Sequence, residues 1–496
     1  MKYISTRSQD KHQVDEFTAI VDGLAPDGGL YVPEQIPAQK NWKKYIGKDY
    51  QETAAKVMSA FFEQHGSDKL EQITRSAYGS KFDNAKICPI VKAGDYNFLE
   101  LFHGPTLAFK DMALTVLPYL MTNAIKQSGK DAEIVILTAT SGDTGKAALE
   151  GFSDIEGIRI IVFYPRDGVS KIQKQQMITQ TGKNTMVVNI EGNFDDAQTG
   201  VKRIFEDKKF AQTLNENGYA LSSANSINIG RLVPQVAYYY GAYAQMVANG
   251  SIAGGELLDF VVPTGNFGNI LAGYYAKQMG LPVGNLICAS NSNNVLEDFF
   301  RTGKYDRNRE FYKTISPSMD ILVSSNLERL LYAISDGNTQ FVAECMAELN
   351  SGGVYKISDE LKPKLECFKF GHASENETKA AIKRVFESTG YVCDTHTGVA
   401  AAVYDKLKTD DGRKAVIVST ASPFKFPRDV ISAIGFIQSD ALAEEELLDK
   451  LSYLAELAIP APLAKIWDKE ILHKTSCSIE KMQQIVADSL NISIEH

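Results

Sequence analysis

The sequence has no run of 18 consecutive apolar residues, so it is not expected to span a membrane as a helix. Its polar start, MKYISTRSQDKH, lacks the apolar stretch of a secretory signal, so a cytoplasmic protein is expected. Cysteines stand at 88, 288, 345, 367, 393 and 477 with no Cys-x-x-Cys pair, which excludes a disulfide framework and fits reduced thiols. Cys393 and His396 are close in sequence, but two candidates do not make a metal centre, and no metal is expected. Basic residues are short of acidic ones, 52 against 61, for a net charge of −9. A protein devoted to nucleic acid or to an anionic membrane needs the opposite balance, so neither is an expected partner. Repeats and low-complexity tracts are also absent.

What is present is an ordinary globular composition, 44% hydrophobic and 23% charged, over 496 residues. At about 150 residues per domain that length suggests two to four domains. Residues 1–95 carry a turn-rich stretch, Asp22 to Tyr31, and helical periodicity at Glu52–Gln64 and Asp68–Tyr78, so a helical N-terminal domain is expected. From residue 96, short β-rich runs alternate with helix-length segments. The runs are Ile134–Leu137, Ile158–Phe163, Met186–Ile190, Phe260–Pro263, Leu286–Cys288 and Ala415–Val418. That alternation predicts an α/β protein with mostly parallel sheets covered by helices. The expected division is a lobe over 96–225, a second over 226–430 with a helical insertion near 304–380, and a helical extension over 431–496.

In parallel sheets, ligands bind where strand C-termini open into loops. One such loop, Thr264-Gly-Asn-Phe-Gly-Asn269, precedes a helix over Ile270–Met279. Gly265 and Gly268 allow close backbone approach, and a helix start favours an anion. A second loop, Thr138-Ala-Thr-Ser-Gly-Asp-Thr-Gly145, has the same logic but is no nucleotide P-loop, because its glycines are three apart and Ala147 replaces the metal-binding hydroxyl. A third element joins the possible strand Tyr96–Leu101 to a helix over Met112–Lys126 and places Lys110 in apolar surroundings. Desolvation there would favour the neutral, nucleophilic amine, while the plain alternative is an exposed first-turn lysine. Ser222 to Arg231 gathers hydroxyls and amides around one arginine, a set suited to phosphate or carboxylate. Ser419-Thr-Ala-Ser-Pro-Phe-Lys-Phe-Pro427 follows a strand, and Asp394-Thr-His-Thr-Gly398 opens a helix in which His396 reads as a structural histidine.

Four of these segments in this order, His103–Asp111, Thr140–Gly145, Gly265–Asn269 and Ser419–Pro423, together with the opening Leu24–Pro33, resemble the longer bacterial and fungal branch of the threonine synthases. The resemblance extends from residue 1 beyond 430. It implies a two-lobed fold-type-II enzyme using pyridoxal 5'-phosphate. Lys110 matches the Schiff-base lysine. Gly265, Asn266, Phe267, Gly268 and Asn269 match the cofactor-phosphate loop, Thr420 the partner of the pyridine nitrogen, and Asp143 the position facing the ring oxygen, where related enzymes carry Asn. Thr140, Ser141, Thr144, Asn225, Ser226 and Arg231 match substrate-binding positions. Ser422 departs from the family, which commonly has His there.

The implied reaction converts O-phospho-L-homoserine and water to L-threonine and phosphate, making the chain a lyase of threonine biosynthesis. The small-molecule substrate is the expected partner, with the protein a monomer or homodimer. Two alternatives stand beside this reading: a phospholyase releasing 2-oxobutyrate from the same substrate, and a non-catalytic relative.

Overall fold

Leu258–Pro263 and Ala415–Ser419 are buried at every position, as strands covered by helices on both faces must be. The computed structural model describes residues 1–129, 132–140, 142–166, 169–408, 412–435 and 441–494, the side chains of 194 and 195 excepted. In it these two strands lie at the centre of a six-stranded sheet. Its order is Phe368–His372, Val283–Ser290, Leu258–Pro263, Ala415–Ser419, Tyr96–Glu100 and Ile90–Ala93. All pairs are parallel except the closing hairpin of Ile90–Ala93 with Tyr96–Glu100. A second, five-stranded sheet is parallel throughout, ordered Thr475–Cys477, Thr185–Ile190, Ile158–Pro165, Glu133–Ala139 and Tyr219–Ser222.

All six apolar runs read from the sequence lie in these strands. The sheets nevertheless cross the expected borders. Tyr96–Glu100, grouped by sequence with 96–225, pairs with Ala415–Ser419 in the larger sheet. Thr475–Cys477, in the segment expected to be helical, pairs with Thr185–Ile190 in the smaller one. The N-terminal region holds the helices Tyr50–Met58 and Ser67–Ala77 but begins with a three-stranded antiparallel sheet of Lys2–Ser5, Gln13–Asp15 and Tyr31–Pro33. Residues 304–380 contain the helices Leu327–Ile334 and Thr339–Gly352, yet Phe368–His372 returns to edge the main sheet. The helix expected over Met112–Lys126 is two, Asp111–Leu114 and Leu117–Ser128, because Pro118 starts a new first turn, where its missing N–H costs nothing.

A 20-residue helix, Ile229–Ala248, runs through the core with Tyr238, Tyr239, Tyr240 and Tyr243 fully buried. Each such ring contributes about 1.5–3 kcal/mol by leaving water. Among the described residues, no helix is long and apolar enough to cross a membrane, and no group of His, Cys, Asp or Glu is arranged to hold a metal ion. The cysteines are all free. The loops after Tyr96–Glu100, Glu133–Ala139, Leu258–Pro263 and Ala415–Ser419 all leave strand C-termini.

Candidate active site

Lys110 sits on a turn pinned to the loop after Ala415–Ser419: Phe109 N–H donates to Thr420 O at 2.8 Å, and Ser422 N–H to Leu107 O at 3.0 Å. Its side chain is 11% exposed, with Nζ 3.5 Å from Asp143 Oδ2 and donating to Ser318 Oγ at 3.4 Å. Burial pushes the Lys110 pKa down; Asp143 opposes this, while the charges of Lys425 and Arg231 reinforce it. The lysine is therefore a buried amine, not an exposed first-turn residue.

Asp143 opens the helix Asp143–Phe152, where the helix dipole favours a carboxylate. Its Oδ1 accepts from Gln173 Nε2 at 2.8 Å and pairs with Lys425 Nζ at 2.7 Å. Burial alone would raise its pKa, but Lys425 and Lys110 outweigh burial and hold the carboxyl far below the usual range. Lys425 also donates to Thr106 O at 2.9 Å and Gln176 Oε1 at 3.3 Å. It is delivered by the turn Pro423–Lys425, capped by Ser422, whose Oγ accepts from Phe424 N–H. Ser422 thus has a structural task.

The Gly265–Asn269 loop feeds the 12-residue helix Gly268–Met279, whose cap residue Phe267 has φ 63° and makes no side-chain cap. The first N–H groups of that helix are therefore left for another acceptor. A Cβ on Gly265 would lie 2.7 Å from Ser318 O, which fixes glycine there. The Phe267 ring packs against Phe300 and Phe368, so its side chain belongs to the core and only its backbone serves the loop. Asn269 Oδ1 accepts from Tyr238 and Tyr239 hydroxyls at 2.6 and 2.8 Å, while its buried Nδ2 has no partner among the described residues.

Arg231 is 3% exposed. Its Nη1 donates to Ala224 O at 2.8 Å, and its buried Nε has no partner among the described residues. Burial lowers the guanidinium to about 10. Ser226 O accepts from Asn326 Nδ2 at 3.2 Å, and Asn326 N–H donates to Asn266 O at 3.1 Å, so one residue ties the 225–226 turn to the 265–269 loop. Arg329 adds a bond to Ile227 O and another to Tyr31 O. Thr140 Oγ1 accepts from the N–H groups of Gly142 and Gly145 at 3.0 and 2.9 Å. Two amides of the expected anion loop are thus turned onto Thr140. Thr144 follows Asp143 on the helix and is partly exposed, Thr420 is buried, and Ser141 lies outside the described residues.

Sequence reasoning did not single out Ser318, Lys425 or Gln173. Ser318 stands 208 positions from Lys110 and arrives on a loop organised by Asp320, which accepts from Asn291 Nδ2, Thr314 Oγ1 and Thr314 N–H. His396 supports that loop: its Nε2 accepts Ser318 N–H at 3.1 Å, so its Nδ1 carries the proton donated to Asp394 at 2.7 Å. Lys425 lay inside a segment already noted, and its apolar neighbours Phe424 and Phe426 were the available signal.

These residues fit a phosphorylated aldehyde: a buried amine, an uncapped helix start with a glycine approach, and unpartnered donors on Asn269 and Arg231. A profile described as "Pyridoxal-phosphate dependent enzyme" matches residues 98–349, and one described as "Threonine synthase N terminus" matches residues 2–78. The chain accordingly belongs to the pyridoxal-phosphate-dependent enzymes of fold type II. It is 39% identical over 448 residues to threonine synthase of Pseudomonas aeruginosa, covering 89% of this chain and 92% of that one. It is 40% identical over 495 residues to threonine synthase-like 1 of Homo sapiens, covering 96% of this chain but spanning only 65% of that relative's length. Pyridoxal-phosphate-bound threonine synthase from Brucella melitensis superimposes with a TM-score of 0.87 at 36% identity, covering 99% of this chain and 98% of that one. The yeast threonine synthase structure gives 0.87 at 32%, covering 99% of each. The chain belongs to the threonine synthase family, a family of pyridoxal-phosphate-dependent lyases.

Proposed function

We propose that this chain is a threonine synthase, converting O-phospho-L-homoserine and water into L-threonine and phosphate. The observation that carries the reading is Arg231, a buried cation with an unpartnered Nε whose charge reaches Lys110, in addition to the Gly265–Asn269 helix start. One anion site serves the cofactor phosphate and a second the substrate phosphate; an enzyme for an unphosphorylated amino acid needs only the first.

Bound pyridoxal phosphate supplies an electron sink for the bonds of the substrate's Cα. Lys110 would hold it through the amine, with Gly265, Asn266, Phe267, Gly268 and Asn269 to receive its phosphate, Thr420 to serve its pyridine nitrogen and Asp143 its ring oxygen. Thr140, Ser141, Thr144, Asn225, Ser226 and Arg231 receive the substrate's carboxylate and phosphate. The reaction requires protons to leave Cα and Cβ, the Cγ–O bond to break as phosphate departs, protons to return to Cγ and Cα, and a water oxygen to bond Cβ. Lys110 would be the base and acid for these transfers, and its buried setting favours the neutral form that accepts a proton. Arg231 stabilises the departing phosphate through charge-assisted bonds.

In the alternative phospholyase reading, phosphate, ammonia and 2-oxobutyrate leave from the same substrate and one water. One experiment tests both: incubate the cofactor-loaded protein with O-phospho-L-homoserine and assay all four products. Threonine equal to phosphate supports the synthase, 2-oxobutyrate equal to phosphate the phospholyase, and no phosphate refutes both. Lys110→Ala should abolish turnover together with the visible absorbance of the lysine-linked cofactor. We place the enzyme in the cytosol, where its free thiols stay reduced, as a monomer or homodimer.

A further inference from the structure

The Asp143 carboxylate is held unevenly. Oδ1 is saturated at short range, by Lys425 Nζ at 2.7 Å and Gln173 Nε2 at 2.8 Å. Among the described residues Oδ2 makes only long contacts, to Lys110 Nζ at 3.5 Å and Ser318 Oγ at 3.4 Å. The partner that commands Asp143 is therefore not the cofactor-binding lysine but Lys425. Lys425 is fully buried, its side chain showing 0% exposure, and its ammonium is spread over Asp143, Thr106 O and Gln176. A buried ammonium is costly, and a site with one lysine and one aspartate would form a closed ion pair with no need for a second cation.

We propose that Lys425 is a positioning residue: it claims Asp143 through Oδ1 and, with its own charge, biases the Lys110 amine toward the neutral form that binds the cofactor. A neutral amine carries the lone pair that an aldehyde carbon accepts as water leaves; an ammonium tied to a carboxylate does not. The groups facing Lys110 come from three elements. Asp143 on its helix favours the ammonium, while Lys425 on the Pro423–Lys425 turn and Arg231 on the long helix disfavour it. Asp111, in the turn after Lys110, is within the field of Lys425 as well. Removing Lys425 leaves Lys110 as the cation beside Asp143, so the pair should close. The inference rests on Lys110 being the cofactor-holding lysine and is independent of which products are formed.

The test reads Lys110 directly in cofactor-free protein, by competitive acetylation with acetic anhydride across pH and mass spectrometry of the Lys110 peptide. In Lys425→Met the titration midpoint of Lys110 should rise by about 1–2 pH units, the size expected for unit charges within about 8 Å at an effective dielectric of about 20. Condensation with added pyridoxal phosphate at neutral pH should slow by about tenfold or more in step with that rise. Lys425→Arg should restore the parent midpoint. Should Lys425→Met fail to fold, Asp143→Asn is compared with Asp143→Asn/Lys425→Met: the midpoint should be higher in the double variant, which lacks the second cation. A midpoint unchanged or lowered in Lys425→Met, or equal in those two variants, overturns the proposal.

Discussion

Replacing Arg231 with Met separates binding from folding. Among the described residues the Arg231 side chain makes one hydrogen bond, Nη1 to Ala224 O at 2.8 Å, and its buried Nε has no partner. A buried cation without a carboxylate costs several kcal/mol, whereas its one charged hydrogen bond returns about 1.5–3 kcal/mol. Deleting both nearly cancels, so ligand-free Arg231→Met should melt within about 4 °C of the parent. With substrate the balance reverses. On the proposed reading, two charge-assisted bonds to phosphate would contribute about 3–6 kcal/mol, so kcat/KM for O-phospho-L-homoserine should fall about 100- to 20,000-fold. The assay pairs steady-state kinetics with thermal melts in the presence and absence of inorganic phosphate, which should raise Tm less in the variant than in the parent. The reasoning fails if kcat/KM stays within about threefold while Tm drops sharply, because Arg231 would then be a brace for Ala224.

Arg329 supplies the opposite case: it is wholly buried and bonded to Tyr31 O, Ile227 O and Asn326 Oδ1, so Arg329→Met leaves three acceptors without their donor and should cost about 3–5 kcal/mol in urea unfolding, and an unchanged midpoint would contradict this. Gly265→Ala pushes a Cβ to 2.7 Å from Ser318 O; titrating cofactor-free protein with pyridoxal phosphate should show affinity weakened by about tenfold or more, and parental affinity would show that the loop yields freely. Burial raises the Asp111 carboxyl from 3.8 to about 6 despite two bonds from Thr106. A carboxyl that holds its proton more tightly when folded stabilises the fold at low pH and loses about 3 kcal/mol of that as pH rises from 3.8 through about 6. Asp111→Asn should flatten this decline in urea melts across that range, and a slope equal to the parent's would refute it.

Much of the fold was legible because parallel strands buried on both faces must be written in β-branched and aliphatic residues, as in Ile158–Pro165 and Leu258–Pro263. In the two large sheets the strands that escaped notice, Ile90–Ala93, Tyr219–Ser222, Phe368–His372 and Thr475–Cys477, stand at the edges, where half-exposed positions carry no such pattern. The site followed the same rule. Lys110, Asp143 and the Gly265–Asn269 loop sit on local strand–turn–helix units with their own signatures. Ser318 reaches Lys110 only through the Asn291–Asp320 contacts, which no local pattern announces. Phe267 was legible as a loop residue, but the inward turn of its ring toward Phe300 and Phe368 depends on strands far along the chain. Lys425 reads as an ordinary lysine until the fold buries it against Asp143.

The central claim is that two anion sites flank one buried lysine so that a phosphorylated amino acid is converted with water to a hydroxylated one. The most direct measurement is simultaneous quantification of threonine, phosphate and 2-oxobutyrate from O-phospho-L-homoserine by the cofactor-loaded protein. The account predicts threonine and phosphate in equal amounts, both lost in Lys110→Ala. Release of 2-oxobutyrate in place of threonine, or no phosphate at all, would contradict it.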